Sequence, residues 1–452
     1  MHTIKNLCLT AVLLQNILVL HTFFQYQIYC DDDDDHPARK SLEIGVGPII
    51  SIGGSPPEEN YSPPPQKGYC PPSSTPEPIY SYESKRIKIA YPVIQQFKKK
   101  ITHDPFGITN TWVGPDICNK YKGFFCDTAP DLNQTAIAGI DFNGYNLAGP
   151  ELTLSGFLDQ LPDIAIFHAN SNNFTGSVPK SIANLRFLYE LDLSNNVFTG
   201  EFPKEVYSAT NLTFLDLRFN KFSGMLPPQV FRLGLDVLFI NNNKFMQKLP
   251  DNLGSGQFYY LSLANNNLTG SIPSSIGDLK DTLVEILLLN NQLSGCLPCE
   301  IGLLGNLTLF DASSNQLTGP VPASFGCLAQ LQLLNLAQNR LFGAIPESLC
   351  MLPKLANLSL SYNYFTNVGP LCKNLIWRKV IDVRMNCIIG LPGQRSPADC
   401  RAFLSKHKCC LDEKIKIWIP CGAHIHSTAP QQLPSARKIP KSYRALAPQL
   451  KP

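Results

Sequence analysis

Apolar and polar positions between about residues 140 and 392 follow one phrase that returns every 23 to 25 residues. Clear copies are LDLSNNVFTGEFP at 191–203 and LSLANNNLTGSIP at 261–273. The apolar–polar–apolar triplet that opens each phrase predicts a short strand with two buried side chains. A fixed period of this length predicts a solenoid, because only stacked units can bury a core that no single unit closes.

An Asn closes the strand portion of each phrase, and its amide can both donate to and accept from backbone groups left unpaired at the turn. The motif LxLxxNxLxGxIP is that of the plant-type leucine-rich repeat. We count eleven units, of which the first, with Tyr145 in place of the Asn, and the last, at Asn386, are atypical. Terminal units differ because they must cover an open core. The predicted fold is therefore an α/β leucine-rich repeat solenoid over residues 140–392, curved and closed by disulfide-stapled caps.

The sequence before the repeats divides into three segments. Residues 1–29 carry an apolar run behind Lys5 and predict a signal peptide, and residues 30–84 have the Pro, Gly and Ser content of a disordered linker. Residues 85–139 are predicted to form an N-terminal cap. It opens with a helix that holds Pro92 in its first turn and presents one apolar face, made of Ile87, Tyr91, Ile94, Phe97 and Ile101.

The sequence after the repeats predicts a Cys-rich cap at 393–421 and a basic, disordered tail at 422–452. Residues 401–452 hold ten Lys and Arg against two acids, whereas the whole chain has a net charge of +3. Such a tail suits contact with acidic wall pectin or a merely solvated end. We expect no nucleic-acid partner and no transmembrane segment beyond the signal peptide.

Fifteen cysteines fit an oxidising compartment. Closeness in sequence pairs Cys118 with Cys126, and equivalent positions in adjacent repeats pair Cys350 with Cys372. Cys70, in the linker, is a candidate intermolecular disulfide that would give a homodimer. The sequence leaves open the pairing of Cys296, Cys299, Cys327, Cys387, Cys400, Cys409, Cys410 and Cys421.

Glycosylation sequons are frequent in this chain. The candidate acceptors are Asn60, Asn133, Asn173, Asn211, Asn267, Asn306 and Asn357. Asn357 directly precedes a strand Leu, so a glycan there would crowd the strand face of the solenoid.

The cap (YPVIQQFKKKITHDP and TWVGPDICNKYKGFFCD), the repeats and the closing DVRMNCIIGLPGQRSPADC resemble the leucine-rich repeat domain of plant leucine-rich repeat extensins. The resemblance covers about residues 85–410. It implies a secreted wall protein that binds rapid-alkalinisation peptides. Family members also carry an extensin tail, whereas this sequence has no Ser-Pro-Pro-Pro-Pro runs after Cys421, so anchoring by such a tail is not expected.

The outward positions of the predicted strands should form a concave face, the usual binding surface of a solenoid. Acidic and aromatic side chains dominate it, which suits a basic peptide. The alternative is that the Asp of LDLS is an ordinary, solvated repeat residue. The candidate site residues are Asp141, His168, Glu190, Asp192, Phe214, Asp216, Arg218, Phe239, Tyr260, Glu285, Asp311 and Asp382.

No catalytic motif is present in the sequence: there is no GxSxG, no HExxH and no phosphate-binding Gly loop followed by Lys. We therefore predict a non-enzymatic protein without cofactor or metal. The leading hypothesis is a secreted binding protein of the cell wall or apoplast that captures a basic, cysteine-rich signalling peptide or a wall-associated protein. The alternatives are an inhibitor of a microbial polygalacturonase and a structural wall component.

Overall fold

The computed structural model describes residues 80–131 and 133–406. Four predicted parts of the chain lie outside these residues: the signal peptide, almost all of the linker with Asn60 and Cys70, the end of the C-terminal cap with Cys409, Cys410 and Cys421, and the basic tail. The predictions made for them stay predictions.

The N-terminal cap begins with helix α1 (Lys85–Lys100), whose N-terminus is capped by the Ser84 hydroxyl. Ile87, Ile94 and Phe97 of the predicted apolar face are buried, together with Ala90, whereas Tyr91 is half-buried and Ile101 caps the C-terminal end of the helix. The placement of Pro92 in the first turn was wrong, because the helix starts early enough to put this residue at its eighth position. Pro92 is tolerated there because it lies on the exposed face, where water can satisfy the carbonyl that lacks a donor.

The rest of the cap is short helix α2 (Ile117–Lys120) and a hairpin of β1 (Phe124–Thr128) and β2 (Thr135–Asp141). The disulfide Cys118–Cys126, predicted from sequence, joins α2 to β1. Trp112 is fully buried and donates from its indole nitrogen to the carbonyl of Lys122, at 2.9 Å. Strand β2 of the hairpin pairs in parallel with β3 and so joins the cap to the sheet of the repeats.

The repeats add parallel strands in two columns. One column holds β3 (Ile166–His168), β4 (Glu190–Asp192), β6 (Phe214–Asp216), β8 (Val237–Phe239), β10 (Tyr260–Ser262), β12 (Glu285–Leu287), β14 (Leu309–Asp311), β16 (Leu333–Asn335), β18 (Asn357–Ser359) and β20 (Ile381–Asp382). The other holds β5 (Thr199–Gly200), β7 (Lys221–Gly224), β9 (Lys244–Lys248), β11 (Asn267–Gly270), β13 (Gln292–Cys296), β15 (Gln316–Gly319), β17 (Arg340–Ala344) and β19 (Tyr364–Asn367).

In the described part of the chain, the first column joins β1 and β2 in a twelve-stranded sheet, and the second column forms an eight-stranded one. Strands β2 to β20 of the larger sheet come from eleven successive repeats, which confirms the predicted number of units. The middle residue of each strand, such as Leu191, Leu215 or Leu261, is buried against the core. Its two neighbours therefore point to the other side of the sheet.

One turn of 3-10 helix follows the Pro of most repeats and covers the side of the core away from the larger sheet. These helices are Lys180–Asn184, Lys204–Ser208, Pro228–Arg232, Leu253–Ser255, Ser274–Leu279, Cys299–Leu303, Ala323–Cys327 and Glu347–Met351, with Leu158–Gln160 before them and Ile108–Thr111 in the cap.

The predicted Asn column connects successive repeats through buried amides. Nδ2 of Asn220 lies within hydrogen-bonding distance of three carbonyl oxygens, those of Leu193 (2.8 Å), Leu217 (3.2 Å) and Arg218 (3.2 Å). Its Oδ1 accepts from the backbone N–H of Phe198 at 3.0 Å. The same pattern recurs at Asn172, Asn196, Asn243, Asn266, Asn291, Asn315, Asn339, Asn363 and Asn386.

Near the C-terminal end, helix α3 (Pro370–Trp377) lies between β19 and β20, where earlier repeats have a 3-10 turn. Helix α4 (Pro397–Leu404) follows β20. The predicted disulfide Cys350–Cys372 fixes α3 to the preceding repeat, and Cys387–Cys400 ties α4 to the last one. Cys296 and Cys327 are also disulfide-bonded. Cys299 is a free thiol, and burial raises its pKa.

Candidate functional site

The concave face is the outer surface of the twelve-stranded sheet, formed by the residues on either side of each buried middle position. Strand register aligns these residues into two columns. One column contains Ile166, Glu190, Phe214, Val237, Tyr260, Glu285 and Leu309. The other contains Asp141, His168, Asp192, Asp216, Phe239, Ser262, Leu287, Asp311 and Asn335.

Most of the concave-face Asp residues serve the turn that ends their own strand. In each, Oδ1 accepts from the backbone N–H two residues later; for Asp192 and Ser194 the distance is 2.9 Å. The side chain thereby satisfies a donor that the strand leaves unpaired, as Asp does in turns generally. The Asp residues with this bond are Asp141, Asp192, Asp216, Asp311 and Asp382.

Asp216 and Arg218 form a buried ion pair beneath this surface. Oδ2 of Asp216 lies 2.9 Å from Nε of Arg218, and neither side chain has appreciable contact with solvent. Burial raises the pKa of the Asp216 carboxyl, and the adjacent Arg218 guanidinium offsets that rise only in part. The guanidinium also lies over the buried Phe239 ring, 5.2 Å from its centroid. These three predicted site residues stabilise the sheet and offer little surface to a ligand.

His168 and Glu190 form a second pair on adjacent strands, closer to solvent. Nε2 of His168 is 2.9 Å from Oε2 of Glu190. Burial by itself would lower the pKa of His168, but the hydrogen bond and charge of Glu190, with Asp192 and Asp141 nearby, raise this pKa to about 8. The pair is thus charged below that pH.

Because the pKa of His168 is higher in the folded chain than its ordinary value of 6.5, the pair contributes stability that is complete below that value and disappears as the pH rises through about 8. We expect His168→Gln to lower the free energy of unfolding by roughly 2 kcal/mol at acidic pH and by little above pH 9. Urea denaturation of both proteins across this range measures the difference. A loss that is independent of pH would contradict the assignment.

Glu285 differs from the Asp residues because its carboxylate has no internal partner: no side chain or backbone N–H donates to it within the residues that the structure describes. Burial raises its pKa to about 7. Strand register places it beside Tyr260, and the neighbouring Tyr259 side chain is 40% exposed. A half-buried, uncompensated carboxylate next to the Tyr260 ring is suited to a cationic side chain from a ligand.

The predicted site residues therefore separate into two groups. Asp192, Asp216, Arg218, Phe239 and Asp311 are buried, whereas Asp141, His168, Glu190, Phe214, Tyr260, Glu285 and Asp382 reach the surface in part. Sequence reasoning did not single out Asn335, whose amide donates to Oδ2 of Asp311 at 2.9 Å. The signal available in the sequence was that Asn335 occupies the same position in its repeat as Asp311 in the preceding repeat.

The described sequons all expose their Asn side chains, namely those of Asn133, Asn173, Asn211, Asn267, Asn306 and Asn357. Asn357 lies in β18, in register with Leu333 on the concave face. A glycan there would cover the C-terminal part of this face and leave the region around Glu285 and Glu190 open. Whether any sequon is occupied stays a prediction.

Comparison with known proteins agrees with this architecture. The family model "Leucine Rich Repeat" matches residues 187–208, 211–233, 257–279, 306–328 and 330–352. The chain is 53% identical over 331 residues to leucine-rich repeat extensin-like protein 1 of Arabidopsis thaliana. This alignment covers 73% of this chain and 44% of that protein. It is 53% identical over 322 residues to leucine-rich repeat extensin-like protein 6 of the same plant. This alignment covers 71% of this chain and 67% of that protein. The chain thus spans less than half the length of the longer relatives.

Among solved structures, the chain resembles the leucine-rich repeat ectodomain of the plant membrane receptor kinase GASSHO1/SCHENGEN3 from Arabidopsis thaliana, crystallised with CASPARIAN STRIP INTEGRITY FACTOR 2. The TM-score is 0.55 at 23% identity, over 62% of this chain and 36% of the receptor chain. This likeness supports the solenoid fold. Over residues 80–131 and 133–406, no helix has the length and apolar character needed to cross a bilayer.

Proposed function

The chain belongs to the leucine-rich repeat extensin-like family, and from this premise we propose that it is a secreted, non-enzymatic binding protein of the plant cell wall or apoplast. Its ligand is a basic, cysteine-rich signalling peptide of the rapid-alkalinisation type, held on the concave face. The observation that carries the proposal is Glu285, a half-buried carboxylate beside Tyr260 that has no partner among residues 80–131 and 133–406.

The energetics of Glu285 support a binding role over a structural one. A carboxyl group whose pKa is raised by burial weakens the fold as the pH increases from its ordinary value of 4.5 to about 7, because the ionised form is poorly solvated. A Lys or Arg side chain of a ligand would stabilise this ionised form and would bury its own stem against Tyr260. A residue that costs stability until a cation arrives is a common feature of binding sites.

Electrostatics on the N-terminal side of Glu285 point to the same ligand class. Asp141 reaches the surface there, as does Glu190 in its pair with His168, and the Phe214 ring lies between these acids and the Tyr260 region. An acidic surface attracts a basic peptide at long range, and the aromatic rings provide apolar contact once it is bound. We place the peptide along β2 to β14, upstream of the Asn357 sequon.

We expect Glu285→Gln to weaken binding of a basic cysteine-rich peptide by about tenfold. The same change should raise the free energy of unfolding by roughly 1 to 3 kcal/mol at pH 8 and leave it unchanged at pH 4, since only the ionised carboxylate is costly. Isothermal titration calorimetry and urea denaturation measure the two effects. Opposite changes in affinity and stability separate loss of a contact from loss of folding.

The matched control is Glu201→Gln, which removes an exposed carboxylate that pairs with Lys204 outside the concave face. It should leave peptide affinity unchanged. If both variants weakened binding equally, the interaction would depend on net charge alone, which would contradict the proposed site. Inhibition of a polygalacturonase without peptide binding would instead favour the inhibitor hypothesis.

A further inference from the structure

The last repeat carries an exposed aromatic side chain that the proposed peptide site does not use. Trp377, at the end of α3, is 84% exposed. A Trp buries a large apolar area when it meets a partner, so leaving one in water is costly. Lys373 lies one helical turn before it on the same exposed face of α3, and Arg378 and Lys379 follow it directly.

Helix α3 is held in place on its opposite side. The disulfide Cys350–Cys372 joins it to the preceding repeat, and the Glu347 carboxylate accepts from the backbone N–H groups of Leu371 (3.2 Å) and Cys372 (3.4 Å). The helix ends where the Lys379 N–H donates to the carbonyl of Ile376, at 2.9 Å. Trp377 is therefore presented from a rigid element, which lowers the entropy cost of using it for binding.

The surrounding charge is strongly positive. Residues 347–406 contain eight Lys and Arg but only three acids, Glu347, Asp382 and Asp399, in a chain whose total net charge is +3, and the Glu347 carboxylate is bonded to the N-terminus of α3. Asp382 is already paired with Arg384. In the described residues, no carboxylate forms an ion pair with Lys373, Arg378 or Lys379, so their charges are available to an anionic ligand.

We infer that the exposed face of α3, with Trp377, Lys373 and Arg378, binds an acidic polysaccharide made of pyranose uronate units. An indole as exposed as that of Trp377 can stack against the C–H face of a sugar ring, and the flanking cations can pair with the ring carboxylates. An acidic peptide such as the Asp31–Asp35 segment of this chain would satisfy the cations but would offer no apolar face to Trp377. This inference is independent of the concave-face proposal.

The test is affinity electrophoresis of the full secreted chain in gels containing polygalacturonate, with uncharged dextran as the neutral reference. We expect Trp377→Ala to weaken retardation by polygalacturonate about tenfold. The double variant Lys373→Gln with Arg378→Gln should weaken it similarly, and the retardation should fall with added salt. Binding of the basic peptide to these variants should be unchanged.

Matched controls use residues of the same kind elsewhere on the surface. Phe106→Ala removes an aromatic ring that is 62% exposed in the N-terminal cap, and Lys221→Gln with Lys244→Gln removes two exposed cations from the second sheet. Neither control should change retardation. The inference is overturned if Trp377→Ala migrates like the parent, if the lysine controls match the Lys373 and Arg378 variant, or if a penta-aspartate peptide competes as well as oligogalacturonate.

Discussion

Replacing Asn220 by Ala should lower the free energy of unfolding by about 3 to 5 kcal/mol, a large part of the stability of an ordinary domain. The amide is buried, its Nδ2 lies within hydrogen-bonding distance of three carbonyl oxygens, and its Oδ1 accepts from the N–H of Phe198. Ala would leave the N–H of Phe198 without its acceptor and would remove one donor from each of the three carbonyl groups, at a position without access to water. Urea denaturation followed by circular dichroism measures the loss.

The control for this prediction is Asn184→Ala, at an exposed Asn in a 3-10 helix of the same chain. Its effect should stay within about 0.5 kcal/mol, as for most surface substitutions. Because solenoid repeats interact mainly with their neighbours, the Asn220 variant should also broaden the transition as the N-terminal repeats separate from the rest. An effect no larger than that of the control would refute the structural role of the Asn column.

The second large effect is expected from Arg218→Met, which leaves the Asp216 carboxyl buried without its cation. The loss should be about 3 to 5 kcal/mol at alkaline pH, the usual cost of breaking a buried pair from one side. Without Arg218 the folded-state pKa of Asp216 rises further above its ordinary value of 3.8. Stability of the variant should therefore decrease as the pH rises from acidic to alkaline, where the ionised carboxyl is most costly.

Adding Asp216→Asn to Arg218→Met should recover most of this loss. The amide oxygen can still accept from the backbone N–H of residue 218, as Oδ1 of Asp216 does now at 3.0 Å, and no charge is left in the interior. Calorimetric melting of the single and double variants at two pH values measures the recovery. If the double variant is no more stable than the single one, desolvated charge is not the cause.

The fold was predictable because each unit repeats the same local requirements. The 24-residue spacing, the buried strand Leu and the Asn column all follow from residues close together in sequence, and they predicted eleven repeats and the disulfides Cys118–Cys126 and Cys350–Cys372. Pro92 was misplaced because the start of α1 depends on the Ser84 cap, which periodicity of apolar residues does not report.

The concave face was predictable in position but not in the role of each residue. Alternation of side chains along a strand places Asp192, Asp216 and Glu285 on the same side of the sheet. This alternation does not show which carboxylate accepts a hydrogen bond or pairs with a cation. Asp192 accepts from Ser194 and Asp216 pairs with Arg218, whereas Glu285 has no partner in the part of the chain that the structure describes.

The sequence by itself determined the repeating unit and the number of repeats, since backbone satisfaction and core burial recur at each step of the solenoid. Only the tertiary structure decided which charges and rings are available to a ligand. The pKa of Glu285, the burial of Asp216 and the exposure of Trp377 depend on side chains brought together from different repeats. Electrostatic and solvation energies vary with distance in space and with burial, and neither quantity can be read from spacing along the chain.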